Sequence, residues 1–575
     1  MGVAMADSAV DAVDAVDADG ERRALPKRLW AVLLLQAALM LSMAFLYPTY
    51  QEPDEIAHID YVTAYRHGDW IYGPGERHYQ DGVLLSMDVP NTQFQPTIGK
   101  WPIKPRSQRR SFDERGTGYA KAYRPNQMSQ HPPLYYATAA LASEAIPNFA
   151  KQHSDVQVFW LRMLSLLLLL PVPVLIFLMG RRLTGDDTVG LVAALIPLSM
   201  PIYLRTGASV TNDSLAILFG TALLYALSRV MTGDLTRRTA VFTGLLWAGA
   251  LLTKGLALVL PPFILLAYLV GASGGLRERI RGAWLPALVC GGVGAVVGGW
   301  WWARNLIVYG AVQTNGLGAH YGALNVEYGP NHPGGTDLKF LHQFVRLFSI
   351  RMWGSLGLLD RPAMPTSVPT TVLAAFLVLV LIGMGVGLRR ASAPRAAALT
   401  LAVPVALTLI PLAFLARSIY LPTLKVPGLQ ARYLLPVFPG LVVCAALGLR
   451  RYAGRFARWL PTAAVVCTLV FQVGVAVVYL AKELSSPYEH GIVDRVRSGV
   501  HIATAWSPWS RSVTVGLLSA AVLAAIAALF VFAAQAWRTP VAAYSGGSPL
   551  LESPESDPGP LPGADDSKVS LGDRD

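Results

Sequence analysis

Two adjacent acids directly follow a proline, with a histidine three residues farther on, in Gln51-Glu52-Pro53-Asp54-Glu55-Ile56-Ala57-His58-Ile59-Asp60-Tyr61. Proline fits the first turn of a helix and carboxylates favour its positive end, so the spacing predicts a helix starting here. On that helix Asp54 and His58 stand four apart and Glu55 and His58 three, which puts them on one face. Ile56, Ile59 and Val62 take the opposite positions, suited to rest on a membrane surface. Capping explains one acid, but hardly two together with a histidine. Asp54 and Glu55 therefore become candidate catalytic groups, with general-base chemistry as the natural use of such a carboxylate. The same residue types could ligate a divalent metal. The segment lacks a zinc spacing such as His-Glu-x-x-His, so a plain base ranks above a metal and no cofactor is indicated.

Gln130-His131-Pro132-Pro133-Leu134-Tyr135-Tyr136 is the second constellation. Its prolines stiffen a helix entry, and its tyrosines suit the lipid headgroup level. His131 is either incidental to a membrane anchor or a hydrogen-bond donor to a lipid phosphate. Lys254, Arg304 and Arg432 each sit where an apolar run ends. Snorkelling is the common fate of one such cation. A phosphate would satisfy several of them through charge-assisted hydrogen bonds. His58, His131, Tyr135, Lys254, Arg304 and Arg432 are accordingly the candidate substrate-binding residues. Asn212 and Asp213 read as a helix cap. No Walker, Rossmann or kinase motif occurs, and the Gly-rich stretch 291–299 reads as close helix packing.

The elements that must position these residues are membrane helices. Hydrophobic residues make up 53% of 575 positions and charged residues 15%. The apolar residues cluster in runs near the ~20 residues that cross a bilayer. Such a chain is an all-α polytopic membrane protein. The net charge of +12 lies in short gaps at Arg181–Arg182, Arg237–Arg238, Arg277–Arg281, Arg389–Arg395 and Arg450–Arg458. That is a positive-inside pattern, which orients helices and does not imply nucleic acid. Cys290, Cys444 and Cys467 all fall in apolar runs, so no disulfide framework is expected.

Spans are expected near 29–47, 158–180, 188–203, 211–230, 239–253, 256–271, 283–303, 366–388, 396–416, 432–449, 460–481 and 513–536. Counting 133–147 as a further span would invert every later basic loop, so it reads as an interfacial helix. The result is about twelve transmembrane helices, with both termini cytoplasmic. Large outer loops cover 48–157, which holds interfacial helices, and 304–365. Residues 1–28 and 537–575 read as disordered cytoplasmic ends around a membrane domain at 29–536. The runs at 239–253 and 256–271 look short, as interrupted helices lining a polar cavity do.

Taken in order, these motifs resemble the GT-C superfamily of membrane glycosyltransferases, among them protein O-mannosyltransferases and the aminoarabinose transferase acting on lipid A. The resemblance rests on Pro53-Asp54-Glu55 after the first helix, His131-Pro132-Pro133-Leu134-Tyr135-Tyr136, Arg162, Thr253-Lys254, Arg304-Asn305-Leu306-Ile307-Val308-Tyr309-Gly310, and Arg432-Tyr433 with Pro436. It is closest to a bacterial group of membrane transferases of unassigned substrate, which share a segment like Ser349 to Gly357. It implies a GT-C-like fold in the plasma membrane and an extracytoplasmic active site. It also implies inverting transfer of a sugar from a polyprenyl-phosphate donor to an envelope glycan, lipid or protein. In that scheme Asp54 is the base, and Lys254, Arg304 and Arg432 stabilise the leaving phosphate. The aminoarabinose transferases carry a lysine where this chain has His131, whose charge depends on pH.

A transporter or flippase of lipid-linked sugars is the alternative, since it too would be polytopic with an outward cavity. No acid–base pair at mid-span and no inverted repeat favours it. A scaffold for envelope assembly has no feature of its own in the sequence.

Overall fold

In a computed structural model, the described residues are 24–50, 54–69, 73, 75–87, 103–121, 123–314, 330–355, 364–388, 400–426, 429–486 and 488–539. The expectations for the two chain ends and for Pro53 fall largely or wholly outside them. Among the described residues the chain is helical, with two isolated β-bridges, His78–Pro125 and Gln80–Tyr119.

Among the described residues, eight helices are long and apolar enough to cross a membrane, or nine if one bent pair is a single span. The twelve expected spans are not reached, for three local reasons. Arg237–Leu251 and Pro261–Gly271 are helices of 15 and 11 residues, with a tight 3-10 turn between them. At 1.5 Å per residue they reach about 22 and 16 Å, short of a ~30 Å hydrocarbon layer. The run near 188–203 breaks at Met200 ahead of Pro201, and its halves meet at 79°. The two runs at 432–481 form the helices Pro439–Ala453 and Leu460–Tyr479, joined through the 3-10 turn Gly454–Trp459 with φ +46° at Gly454, and this continuous stretch, Pro439–Leu484, counts once.

Large side chains such as Leu288, Leu381, Phe414, Val470 and Phe530 face outward from these helices. A helix apolar on its outer side as well as its inner one belongs in lipid. Helices meet where small residues let backbones close up. Gly448 shows this, because a Cβ there would strike the Leu379 carbonyl on the neighbouring span. Gly294 and Gly298 receive Trp247 and Ala248 in the same way, whereas Gly291 and Gly292 face open space.

Eight helices carry or brace the residues of interest: α1 (Arg28–Leu46), α2 (Glu55–Arg66), α3 (Leu134–Glu144), α4 (Ser154–Leu169), α5 (Asp213–Met231), α6 (Asp337–Ser349), α7 (Ser367–Leu388) and α8 (Val403–Thr423). A second apolar core lies apart from that of the spans and joins α2, α3 and the N-terminal half of α4. Ile59 and Val62 are buried in it beside Tyr135, Tyr136 and Ala139, so that face of α2 rests on protein, not on a membrane surface. Helix α3, at about 16 Å, is too short to cross.

A buried carboxylate fixes the loop around α2. Asp60 accepts from Gln80 N at 2.7 Å, Asn126 Nδ2 at 2.6 Å and Arg77 Nη2 at 3.3 Å. Farther along, Arg109 and Arg106 donate to carbonyls of residues 504–507 and so tie the segment ahead of α3 to the end of a late helix. These carbonyls close the helix Ile492–Trp506, where cations are favourable.

Candidate functional site

Asp54 is the residue before the first turn of α2 and has φ +62°. Few residues accept that left-handed backbone, and aspartate is among the more tolerant. Its side chain makes no capping bond. It turns instead to Arg432, whose Nη2 donates to Oδ2 at 2.6 Å, while Gln127 Nε2 holds Oδ1 at 3.1 Å. The cap reading of this acid therefore does not describe it.

Arg432 lies in the tight turn Ala431–Leu434 and reaches a second carboxylate. Its Nε is 3.2 Å from Asp213 Oδ2. Asp213, on the first turn of α5, also pairs with Lys254 Nζ through Oδ1. Lys254 Nζ lies 4.6 Å from the centroid of the Tyr433 ring, a cation–π contact. Two acids and two cations thus form one chain of ion pairs, Asp54–Arg432–Asp213–Lys254. The Asp54 side chain is 30% exposed, against 6% for Arg432, 9% for Lys254 and none for Asp213. Asp54 is the member open to an incoming molecule.

The two histidines stand beside this chain, their ring centroids 6.4 Å apart. His58 Nδ1 is 3.0 Å from Tyr136 Oη, and its Nε2 is a long 3.5 Å from Thr211 Oγ1. Tyr135 is buried with its ring edge-on to His58 at 6.3 Å. Burial holds His58 well below the usual imidazole range, only partly opposed by Asp54. Burial, helped by nearby Lys254, brings His131 down to about 3. For Asp54, burial pushes the carboxyl up, but the charge and hydrogen bond of Arg432, with Lys254 behind it, more than offset it and leave it below the usual range. At neutral pH the site holds two carboxylates, two cations and two neutral imidazoles.

Glu55 points elsewhere. Its two oxygens accept from Arg162 Nε at 2.8 Å and Nη2 at 2.7 Å, and also from Val210 N and Tyr50 N. Neither side chain of the pair is more than 3% exposed. Arg162 further binds the carbonyls of Ala44, Tyr47 and Pro48. Glu55 and Asp54, neighbours in sequence, thus share no partner. Arg304 does not join the ion-pair chain either: it bonds Asn305 and Tyr309 and stacks on Trp301 and Tyr309.

Asp54, His58, His131, Tyr135, Lys254 and Arg432 come together as a group. Asp213 was missed by sequence reasoning, although a carboxylate at the end of an apolar run, with Lys254 and Arg432 needing partners, was the available signal. Gln127 carried none. Among the described residues no group of three His, Cys, Asp or Glu side chains is placed to hold a metal ion.

Residues 38–441 match the family model described as "Predicted membrane protein (DUF2142)". The chain belongs to this family. No curated protein matches the sequence. Among solved structures, this DUF2142 chain is similar to ArnT from Cupriavidus metallidurans bound to undecaprenyl phosphate, at 15% identity and TM-score 0.45, over 89% of this chain and 76% of that one. It is also similar to the Archaeoglobus fulgidus oligosaccharyltransferase in its apo form, at 12% identity and TM-score 0.39, over 86% and 56%. A third is the arabinosyltransferase EmbB from Mycobacterium smegmatis, at 15% identity and TM-score 0.37, over 97% and 47%.

Proposed function

We propose that this membrane protein is a glycosyltransferase that moves a sugar from a polyprenyl-phosphate donor to an acceptor hydroxyl at the outer face, with Asp54 as general base. The observation that carries the reading is the exposure of Asp54 at the end of a buried ion-pair chain. A group held in a left-handed turn without a capping bond has been given up by the helix for another use.

The acceptor oxygen attacks the anomeric carbon from the face opposite the phosphate. Asp54 takes the hydroxyl proton as the new bond forms. The electron pair of the breaking carbon–oxygen bond leaves on the phosphate, and the configuration inverts. Arg432 and Lys254 hold that phosphate, and their charge stabilises it as it departs. The guanidinium passes from Asp54 to the phosphate when donor binds. This raises the basicity of Asp54, because the group that depressed it has turned away. His58 and His131, both neutral, position by hydrogen bonding and add no charge. Glu55 holds the turn in place through Arg162. Gln127 keeps one carboxylate oxygen fixed so that the other faces the acceptor.

The order of motifs along the chain, which resembles GT-C enzymes, supports the same reading. The test is release of polyprenyl phosphate from a polyprenyl-phosphate sugar by purified protein, run beside lipid flipping in vesicles. Wild-type protein that moves lipid-linked sugar across vesicles and releases no polyprenyl phosphate would show a transporter instead.

A further inference from the structure

Helix α6 carries two apolar stripes. Phe340, Phe344, Leu347 and Phe348 are buried, and Phe340 packs on Tyr420 of α8. The Asp337–Arg417 ion pair fixes the start of α6 to the same span. The second stripe has no protein over it among the described residues: Leu338 is 77% exposed and Leu341 56%. These side chains, with Val345, form one wall of an open cavity of about 620 Å³. The first turn of α7 forms the other, with Ser367 and Thr371 one turn apart. His342 and Arg346 lie in the same cavity, one turn from each other. Arg346 donates from Nε to Gln343 and has no carboxylate partner among the described residues.

A water-filled cleft does not need a wall of exposed leucines, and a purely greasy one does not need an arginine. The mixture fits one occupant with an apolar tail and an anionic head. The basic residues Arg389 and Arg390 follow the other end of α7, so its start lies at the outer boundary of the bilayer. Charge, hydroxyls, aliphatic wall and depth all match a membrane lipid there.

We propose that the groove between α6 and the start of α7 binds an acidic glycerophospholipid of the outer leaflet. Its phosphate sits against Arg346, with Ser367 and Thr371 as hydrogen-bond donors and an acyl chain along Leu338, Leu341 and Val345. The site is separate from the Asp54–Arg432 chain and does not depend on the transferase reading. They share only a linking segment: α6 continues into the wider turn Ile350–Gly354, where Arg351 binds the Leu429 carbonyl ahead of Arg432.

The probe is phosphatidylglycerol titrated into the purified full-length protein in detergent, with bound lipid counted by native mass spectrometry. Wild type should retain one such lipid more tightly than phosphatidylcholine. Arg346→Gln should weaken retention about tenfold, the scale of one charge-assisted hydrogen bond. Leu341→Ser should weaken it through the chain, and Arg432→Ala should leave it unchanged. Equal retention by wild type, Arg346→Gln and Leu341→Ser would overturn the proposal. So would displacement of the lipid by inorganic phosphate alone, or loss of phosphatidylglycerol in Arg432→Ala.

Discussion

Arg432 donates to Asp54 across 378 residues of chain, at 2.6 Å, and so joins the tight turn Ala431–Leu434 to the start of α2. The same guanidinium reaches Asp213. One side chain therefore sets the distance between a half-buried carboxylate and a fully buried one, and most of the expected behaviour of the site derives from it.

Asp54→Asn should separate chemistry from architecture. Asparagine tolerates the left-handed backbone as aspartate does, so the fold should survive. Turnover should fall by about 100-fold or more, the usual scale for loss of a general base. Donor binding, measured by a lipid-phosphate affinity assay, should remain. Full activity in this variant would remove Asp54 from the chemistry.

Arg432→Ala and Lys254→Ala should each weaken polyprenyl-phosphate binding by about 2–5 kcal/mol, the range for loss of a buried charged contact. Arg432→Lys should rescue only part, because an ammonium cannot fork between two carboxylates as a guanidinium does. Unchanged affinity in both alanine variants would leave them as structural cations.

Glu55 and Arg162 should be read through stability. Arg162→Met strands a buried carboxylate, and breaking such a pair costs about 3–5 kcal/mol. Melting in detergent should drop sharply, with reduced abundance in the membrane. Per folded molecule, Glu55→Gln should keep far more turnover than Asp54→Asn. Comparable loss in the two would return Glu55 to the catalytic step.

The histidines give the protein an acid limit. His131 is held at about 3 and His58 well below its usual range, both chiefly by burial. A group bound neutral in the fold stabilises it fully above the ordinary imidazole value of about 6.5, and that contribution is lost as pH falls toward the folded value. Asp54, itself lowered, adds nothing to this loss until pH falls below about 4. The melting temperature should therefore decline between pH 6.5 and 4, and less steeply in His131→Gln. Parallel slopes in the two proteins would show that His131 does not set the limit.

Reporter fusions test the arrangement across the bilayer. Fusions near Gly185 or Gly454 should behave as cytoplasmic, and those near Asp81 or Pro330 as extracytoplasmic. A tag at Glu144 that sorted its flanking loops to opposite sides would make α3 a crossing helix.

Much of the site was legible because membrane placement makes charged residues conspicuous. Asp54, Lys254 and Arg432 stood out as charges where apolar runs end, and their meeting needed only the fold to bring them close. Asp213 looked the same as they did but had a ready excuse as a helix cap, which hid it. Glu55 and Asp54 could not be told apart, since adjacent residues at a helix start share their composition while their side chains go to different partners. Arg304 stands outside the ion-pair chain for the opposite reason: residues on its own helix already partner it. The span count was the weakest expectation. Hydropathy reports apolar length but not where a 3-10 turn or Pro201 breaks it.

The bracket made by Arg162 has a mechanical side. By gripping three carbonyls at the end of α1 together with Glu55, it anchors the turn that bears Asp54 to two apolar helices rather than to a loop. The height of that carboxylate above the hydrocarbon is therefore set by how α1 and α4 sit in the bilayer. A thicker or thinner membrane that tilts those helices would lift or lower the carboxylate as a rigid unit, so the lipid composition around the protein becomes a vertical ruler for the site.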